Sequence, residues 1–114
     1  MGRVLTSPVS NVGGGETRAV NANYTAVASD ILLIDTSAAT VGAEFTITLP
    51  ANPAIGDRIN LIDAAGNCGS VKAIVARNGN KIANVADDLD FDISNNALEL
   101  IYTGSTYGWS ILSN

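Results

Sequence analysis
The sequence predicts an all-β fold: one β-sandwich or jelly-roll-like domain of about eight to nine short strands. Short apolar stretches recur along the chain, several of them alternating apolar with polar residues, as half-buried strands do. Gly, Asn, Asp and Pro punctuate them, each supplying the backbone freedom or rigidity that a tight turn needs. No segment sustains the 3.6-residue period of an amphipathic helix.

Residues 1–17 differ from the rest of the chain. Ser7-Pro8, Ser10-Asn11 and Gly13-Gly14-Gly15 are turn and linker residues, and Val4, Leu5, Val9 and Val12 keep no steady period. The segment reads as an extended N-terminal arm. Its aliphatic side chains gain by lying on a partner surface, where burial offsets the cost of ordering. The sandwich domain is assigned to residues 18–114.

The first strand signal, Ala19 to Tyr24, alternates imperfectly. Ile31-Leu32-Leu33-Ile34 is a continuous apolar run, which predicts a strand buried on both faces. Phe45, Ile47 and Leu49 alternate cleanly with polar residues, and Pro50 ends that ladder because it has no N–H to donate. Arg58 to Asp63 comes next with Ile59 and Leu61 inward, and Ala64 to Asn67 forms a turn.

Val71 to Arg77 is the next strand. Asn78-Gly79 after it is the strongest hairpin signal in the chain and predicts a short return strand at Lys81-Ile82-Ala83. Leu89, Phe91 and Ile93 then alternate with Asp90 and Asp92, apolar inward and acidic outward. Ala97 to Tyr102 places Leu98 and Leu100 inward. Tyr107 to Leu112 closes the domain, with Trp109 and Ile111 on one face. Leu33-Ile34-Asp35-Thr36-Ser37 and Leu61-Ile62-Asp63-Ala64-Ala65 look alike and are read as one recurring way to end a strand.

The chain's 114 residues suit one core. Hydrophobic residues make up 46% of it but aromatics only 5%, so that core is built of small aliphatics, which suits stacked sheets. A net charge of -5 with 6 scattered basic residues argues against a counterion-release grip on nucleic acid and against anionic membranes. No apolar run approaches the ~20 residues of a membrane span. The stretch Met1 to Leu5 lacks the long apolar region of a signal peptide. The 1 cysteine, Cys68, rules out an intrachain disulfide.

Catalytic chemistry is sparse. The absence of histidine removes the commonest general base and metal ligand, and with them His-dependent triads. Cys68 sits in a Gly-Asn-Cys-Gly turn without an imidazole to activate it. Gly13-Gly14-Gly15 lacks the Lys-Ser/Thr pair of a phosphate loop. The cluster Asp87, Asp88, Asp90 and Asp92 could offer oxygens to calcium, yet the Gly and closing Glu of an EF-hand loop are missing. It reads as a solvated strand face that discourages edge-to-edge pairing. Glycoside hydrolysis by such carboxylates needs a cleft and an aromatic platform, for which 1 Trp and 3 Tyr provide little. The expectation is a non-enzyme: no catalytic residue, no metal, no cofactor and no small-molecule substrate.

The stretch from Asn23 to Leu112 resembles a small β-domain of tailed-bacteriophage virion structural proteins. The elements that carry the likeness are Asn23-Tyr24-Thr25-Ala26, Ile34-Asp35-Thr36-Ser37, Thr46-Ile47-Thr48-Leu49-Pro50-Ala51 and Ile55-Gly56-Asp57 with Ile62-Asp63-Ala64. Val75-Ala76-Arg77-Asn78-Gly79 with Ile82, Ala86-Asp87-Asp88-Leu89, and Tyr102-Thr103-Gly104 before Trp109 complete it. The resemblance implies a virion protein, either a capsid decoration (cement) protein or a tail fibre, spike or receptor-binding adhesin module. The short chain, with an arm and no shaft, favours decoration. The expected partners are the major capsid protein and further copies of the chain in a homotrimer, with Val4, Leu5, Val9 and Val12 as arm contacts. The expected location is the capsid exterior, after assembly in the host cytoplasm.

Overall fold
The computed structural model describes residues 15–113. These fold entirely as strands and turns. The strands are β1 (Thr17–Val20), β2 (Tyr24–Thr25), β3 (Ile31–Ile34), β4 (Thr46–Thr48), β5 (Arg58–Asp63), β6 (Ala73–Ala76), β7 (Leu89–Phe91), β8 (Ala97–Tyr102) and β9 (Trp109–Ser113). Two mixed sheets result, a five-stranded one ordered β1-β3-β5-β8-β9 and a four-stranded one ordered β2-β4-β6-β7. β1 opens at Thr17, the last residue of the segment assigned to the arm, so the ordered fold begins slightly earlier than expected.

The connections differ from a jelly roll, whose Greek keys join antiparallel strands. Here β1 to β6 alternate between the sheets, so β1, β3 and β5 pair in parallel, as do β2, β4 and β6. Only the later strands turn back: β7 on β6, β8 on β5 and β9 on β8 are antiparallel. The chain therefore winds as a coil and then closes as a meander. The look-alike segments ending β3 and β5 are ladder neighbours, with Leu32 opposite Leu61 and Ile34 opposite Asp63. Their likeness is offset by one residue from the register.

Both sheets feed one core. Val20, Leu32, Ile34, Ile59, Leu61, Leu98, Leu100 and Trp109 come from the five-stranded sheet, and Ile47, Ala73, Val75 and Phe91 from the other. Phe45 and Leu49 flank β4 on the same inward face. The period-2 alternation of the sequence thus selects the buried residues. Trp109 is wholly buried and meets Tyr102 edge-on, with ring centroids 5.3 Å apart. That geometry aligns a positive ring edge with a negative face.

Three local expectations fail for identifiable reasons. β3 is buried on one face only: Ile31 is 37% exposed and Leu33 half-buried. Asn78 and Gly79 do form a tight turn, with φ of 51° and 90°. No return strand comes after it, because the two sides of β6 are taken by β4 and β7. Ile82 instead bridges Val85 and Trp109. Ile93 is 62% exposed because β7 ends at Phe91 and the chain turns at Asn95, whose φ is 62°.

The bridge between Ile82 and Trp109 depends on Gly108. Its φ is +78°, and a Cβ there would lie 2.0 Å from the Lys81 carbonyl oxygen. Without that Cβ, the Trp109 N–H donates to Lys81 O at 2.8 Å and the Ala83 N–H to Trp109 O at 2.7 Å.

Candidate functional site
Val4, Leu5, Val9 and Val12 lie outside the described residues. The acidic cluster lies within them and does not converge. Asp88 accepts the Arg77 backbone N–H at 2.9 Å, and Asp90 accepts the Lys72 ammonium at 3.1 Å. Asp92 lines an open cleft of about 260 Å³ together with Val41, Glu44, Cys68, Ser70 and Lys72. The Asp90 carboxylate, hydrogen-bonded to the Lys72 ammonium, raises the Lys72 pKa. Among the described residues no three His, Cys, Asp or Glu side chains are grouped to hold a metal ion.

Cys68 is buried. Burial, then the Asp63 carboxylate beside it, pushes its thiol up to about 12. A thiol raised in this way is protonated near neutrality.

Sequence reasoning misses two buried carboxylates. Asp63 ends β5 and is 4% exposed. Its Oδ1 accepts the N–H groups of Gly66 (3.1 Å) and Asn67 (3.3 Å), and its Oδ2 those of Cys68 (3.1 Å) and Asn95 (2.9 Å). Burial acts to raise its pKa, but the Asn95 and Cys68 N–H donors outweigh it and hold the carboxyl below its ordinary value. One anion therefore pins both the turn after β5 and the turn before β8.

Asp30, wholly buried ahead of β3, works alike. It accepts the Glu16 N–H (3.0 Å), the Val27 N–H (3.0 Å) and the Tyr24 hydroxyl (2.7 Å). Burial and that hydrogen bond raise the Tyr24 phenol to about 12. Both carboxylates have their oxygens turned onto backbone donors, so they act as loop latches. The readable signal for Asp63 is its place at a strand end, three residues before Gly66, the pattern of a side chain that hydrogen-bonds its own turn.

The outer face of the five-stranded sheet is the feature without an internal explanation. The registers set Ala19 beside Leu33, Leu33 beside Ile62 and Ile62 beside Ala97. That makes an unbroken apolar row across four strands, all on the side away from the buried Val20, Leu32, Ile34, Leu61 and Leu98. The adjacent row runs Thr17, Ile31, Asn60, Glu99, Leu112, and the next Arg58, Ile101, Ser110. Its charges are self-contained: the Arg58 guanidinium donates to Glu99 at 3.2 Å and the Asn60 amide to the same carboxylate at 3.2 Å. Leu112 is 52% exposed. Along the apolar row Ala19 is exposed, and Leu33, Ile62 and Ala97 are half-buried.

No protein-family model matches the chain, and a search of curated proteins finds no relative.

Proposed function
We propose that this protein is a structural component of a tailed-bacteriophage particle: a capsid decoration (cement) protein that seats on the outer shell as a homotrimer and stabilises adjacent capsomers. The observation that carries a binding role is the apolar row Ala19, Leu33, Ile62 and Ala97 on the outer sheet face. The phage assignment rests on the resemblance of the stretch Asn23 to Leu112. A β-sandwich with a stiff aliphatic core makes a plate that transmits load without deforming. Many small apolar contacts on such a plate can clamp neighbouring capsid subunits, and closed symmetry lets one surface serve every copy.

The test is co-sedimentation of the full chain with undecorated phage shells. Saturable binding in hundreds of copies per shell is the expected result, and Ile62→Lys should abolish it while leaving the far-UV circular dichroism unchanged. Absence of binding, or undiminished binding by the folded variant, would refute the assignment. Label confined to the tail of intact virions would replace decoration with a tail fibre or adhesin role.

A further inference from the structure
We propose that Asn78 is a site of spontaneous covalent modification: its side-chain amide is lost to attack by the Gly79 main-chain nitrogen, and the acid left in its place releases the turn after β6 from the chain leaving β4. The inference is independent of the binding role given to the outer sheet face.

An asparagine amide is thermally labile, and its loss by this route needs a following main-chain nitrogen that is uncrowded and unengaged. Asn78-Gly79 is the chain's one Asn-Gly pair. Both residues are exposed, and a Cβ built on Gly79 would meet nothing within 4 Å. Among the described residues no acceptor takes the Gly79 N–H. The other asparagines with positive φ differ. Asn84 is followed by β-branched Val85, whose N–H donates to Ile82 O at 3.0 Å, and Asn95 by Asn96, whose N–H donates to Ile93 O at 3.2 Å. After Asn67, the Cys68 N–H is held by the Asp63 carboxylate at 3.1 Å. In all three the nucleophile is tied down.

The step needs only water and hydroxide besides these two residues. The Gly79 nitrogen gives its proton to hydroxide and bonds to Asn78 Cγ. The Cγ–Nδ2 bond breaks, and Nδ2 takes a proton from water and departs as ammonia. The product is a cyclic imide, in which one nitrogen joins Cγ to the main-chain carbonyl carbon of Asn78. Glycine leaves that approach open and gives the backbone freedom to reach it. Water then opens the ring. Attack at Cγ restores the backbone and leaves aspartate; attack at the main-chain carbonyl reroutes the backbone through Cγ and leaves isoaspartate. Amide and water become acid and ammonia with no oxidation or reduction, and the net charge of -5 gains one further negative charge.

The amide that is lost has a structural task. Asn78 Nδ2 donates to Leu49 O at 3.0 Å, and Asn80 Nδ2 donates to Ala51 O at 3.3 Å. These two amides tie the turn to the chain leaving β4. Leu49 is wholly buried and its N–H pairs with Ala76 O, so the tie reaches the core. A carboxylate has no proton to offer the Leu49 carbonyl; the two oxygens repel and the tie opens. Aspartate tolerates the left-handed φ of 51°, so the turn itself survives in that product. The tie also sets the pace. While it holds, the departing group is engaged, and reaction passes through the moments when the turn lifts from Leu49.

The folded full chain, aged at mildly alkaline pH in water enriched in heavy oxygen, tests this by mass analysis of its peptides, since the heavy atom marks every acid formed during ageing. Labelled acid is expected at Asn78 many-fold faster than at Asn84, as a mixture of aspartate and isoaspartate, and faster still in urea. Equal rates at Asn78 and Asn84 overturn the proposal, as does conversion confined to the urea-treated chain. So does aspartate without isoaspartate, because direct hydrolysis forms no imide. Asn78→Asp reads the consequence separately: loss of one hydrogen bond should lower Tm by about 4–8 °C, and an unchanged Tm refutes the release of the turn.

Discussion
Replacing Asp63 by Asn should cost far more than the loss of an ordinary surface charge. Each Asp63 oxygen accepts two backbone N–H groups, those of Gly66 and Asn67 on one side and of Cys68 and Asn95 on the other. An amide keeps one oxygen and puts an NH2 group in place of the other. Whichever way it lies, two N–H donors are left facing a donor. A buried polar group without a partner costs about 1–3 kcal/mol, so the sum is about 2–6 kcal/mol. Partial relaxation of the turns puts the expectation near 3–4 kcal/mol, a large share of the 5–15 kcal/mol typical of a domain. Urea unfolding should show this as a lower midpoint at unchanged slope, with Tm down by on the order of 10–20 °C.

The acid limb supplies an independent check. Because the folded carboxyl sits below its ordinary 3.8, its contribution is complete above the unfolded pKa. It is lost as pH falls from about 4 through the lower folded value. Asp63→Asn should remove that part of the acid-induced loss. A cost under about 1 kcal/mol, the net worth of a single ordinary hydrogen bond, would refute the latch.

Two further outcomes rest on equally local packing. Gly108→Ala should destabilise by about 3 kcal/mol or more, since it combines a left-handed φ with a clash against a backbone carbonyl that cannot swing away; thermal unfolding would read it, and a wild-type Tm would contradict the fold around β9. Cys68 should resist a thiol reagent at pH 8 in the folded protein and react at once in denaturant, as burial and the Asp63 carboxylate raise its thiol to about 12; rapid native labelling would contradict its placement.

Much of the core was legible because alternation along a strand is local. Phe45, Ile47 and Leu49, or Leu98 and Leu100, declare their buried side by spacing alone. Pairing partners do not. Nothing within Ile31–Ile34 states that β5 will lie beside it in parallel, since that choice is made by chain winding over long separations. Asn78-Gly79 shows the same division: its turn is locally encoded and correct, while its expected hairpin is forestalled by neighbours distant in sequence. Asp30 and Asp63 were hard to see for another reason. A carboxylate in a polar stretch looks solvated until the backbone around it is seen to aim its N–H groups inward. The outer sheet face was hidden by the opposite effect, because Ile31-Leu32-Leu33-Ile34 is apolar on both sides and so does not tell which side is left uncovered.

β5 carries a consequence beyond its six residues. It is the seam at which the coil and the meander are sewn together, parallel to β3 along one edge and antiparallel to β8 along the other. In the five-stranded sheet the parallel and antiparallel ladders meet only through it, as they meet through β6 in the other sheet. During synthesis β1 and β3 emerge before the strand that completes their ladder, whereas β8 emerges after β5 and pairs along its free edge.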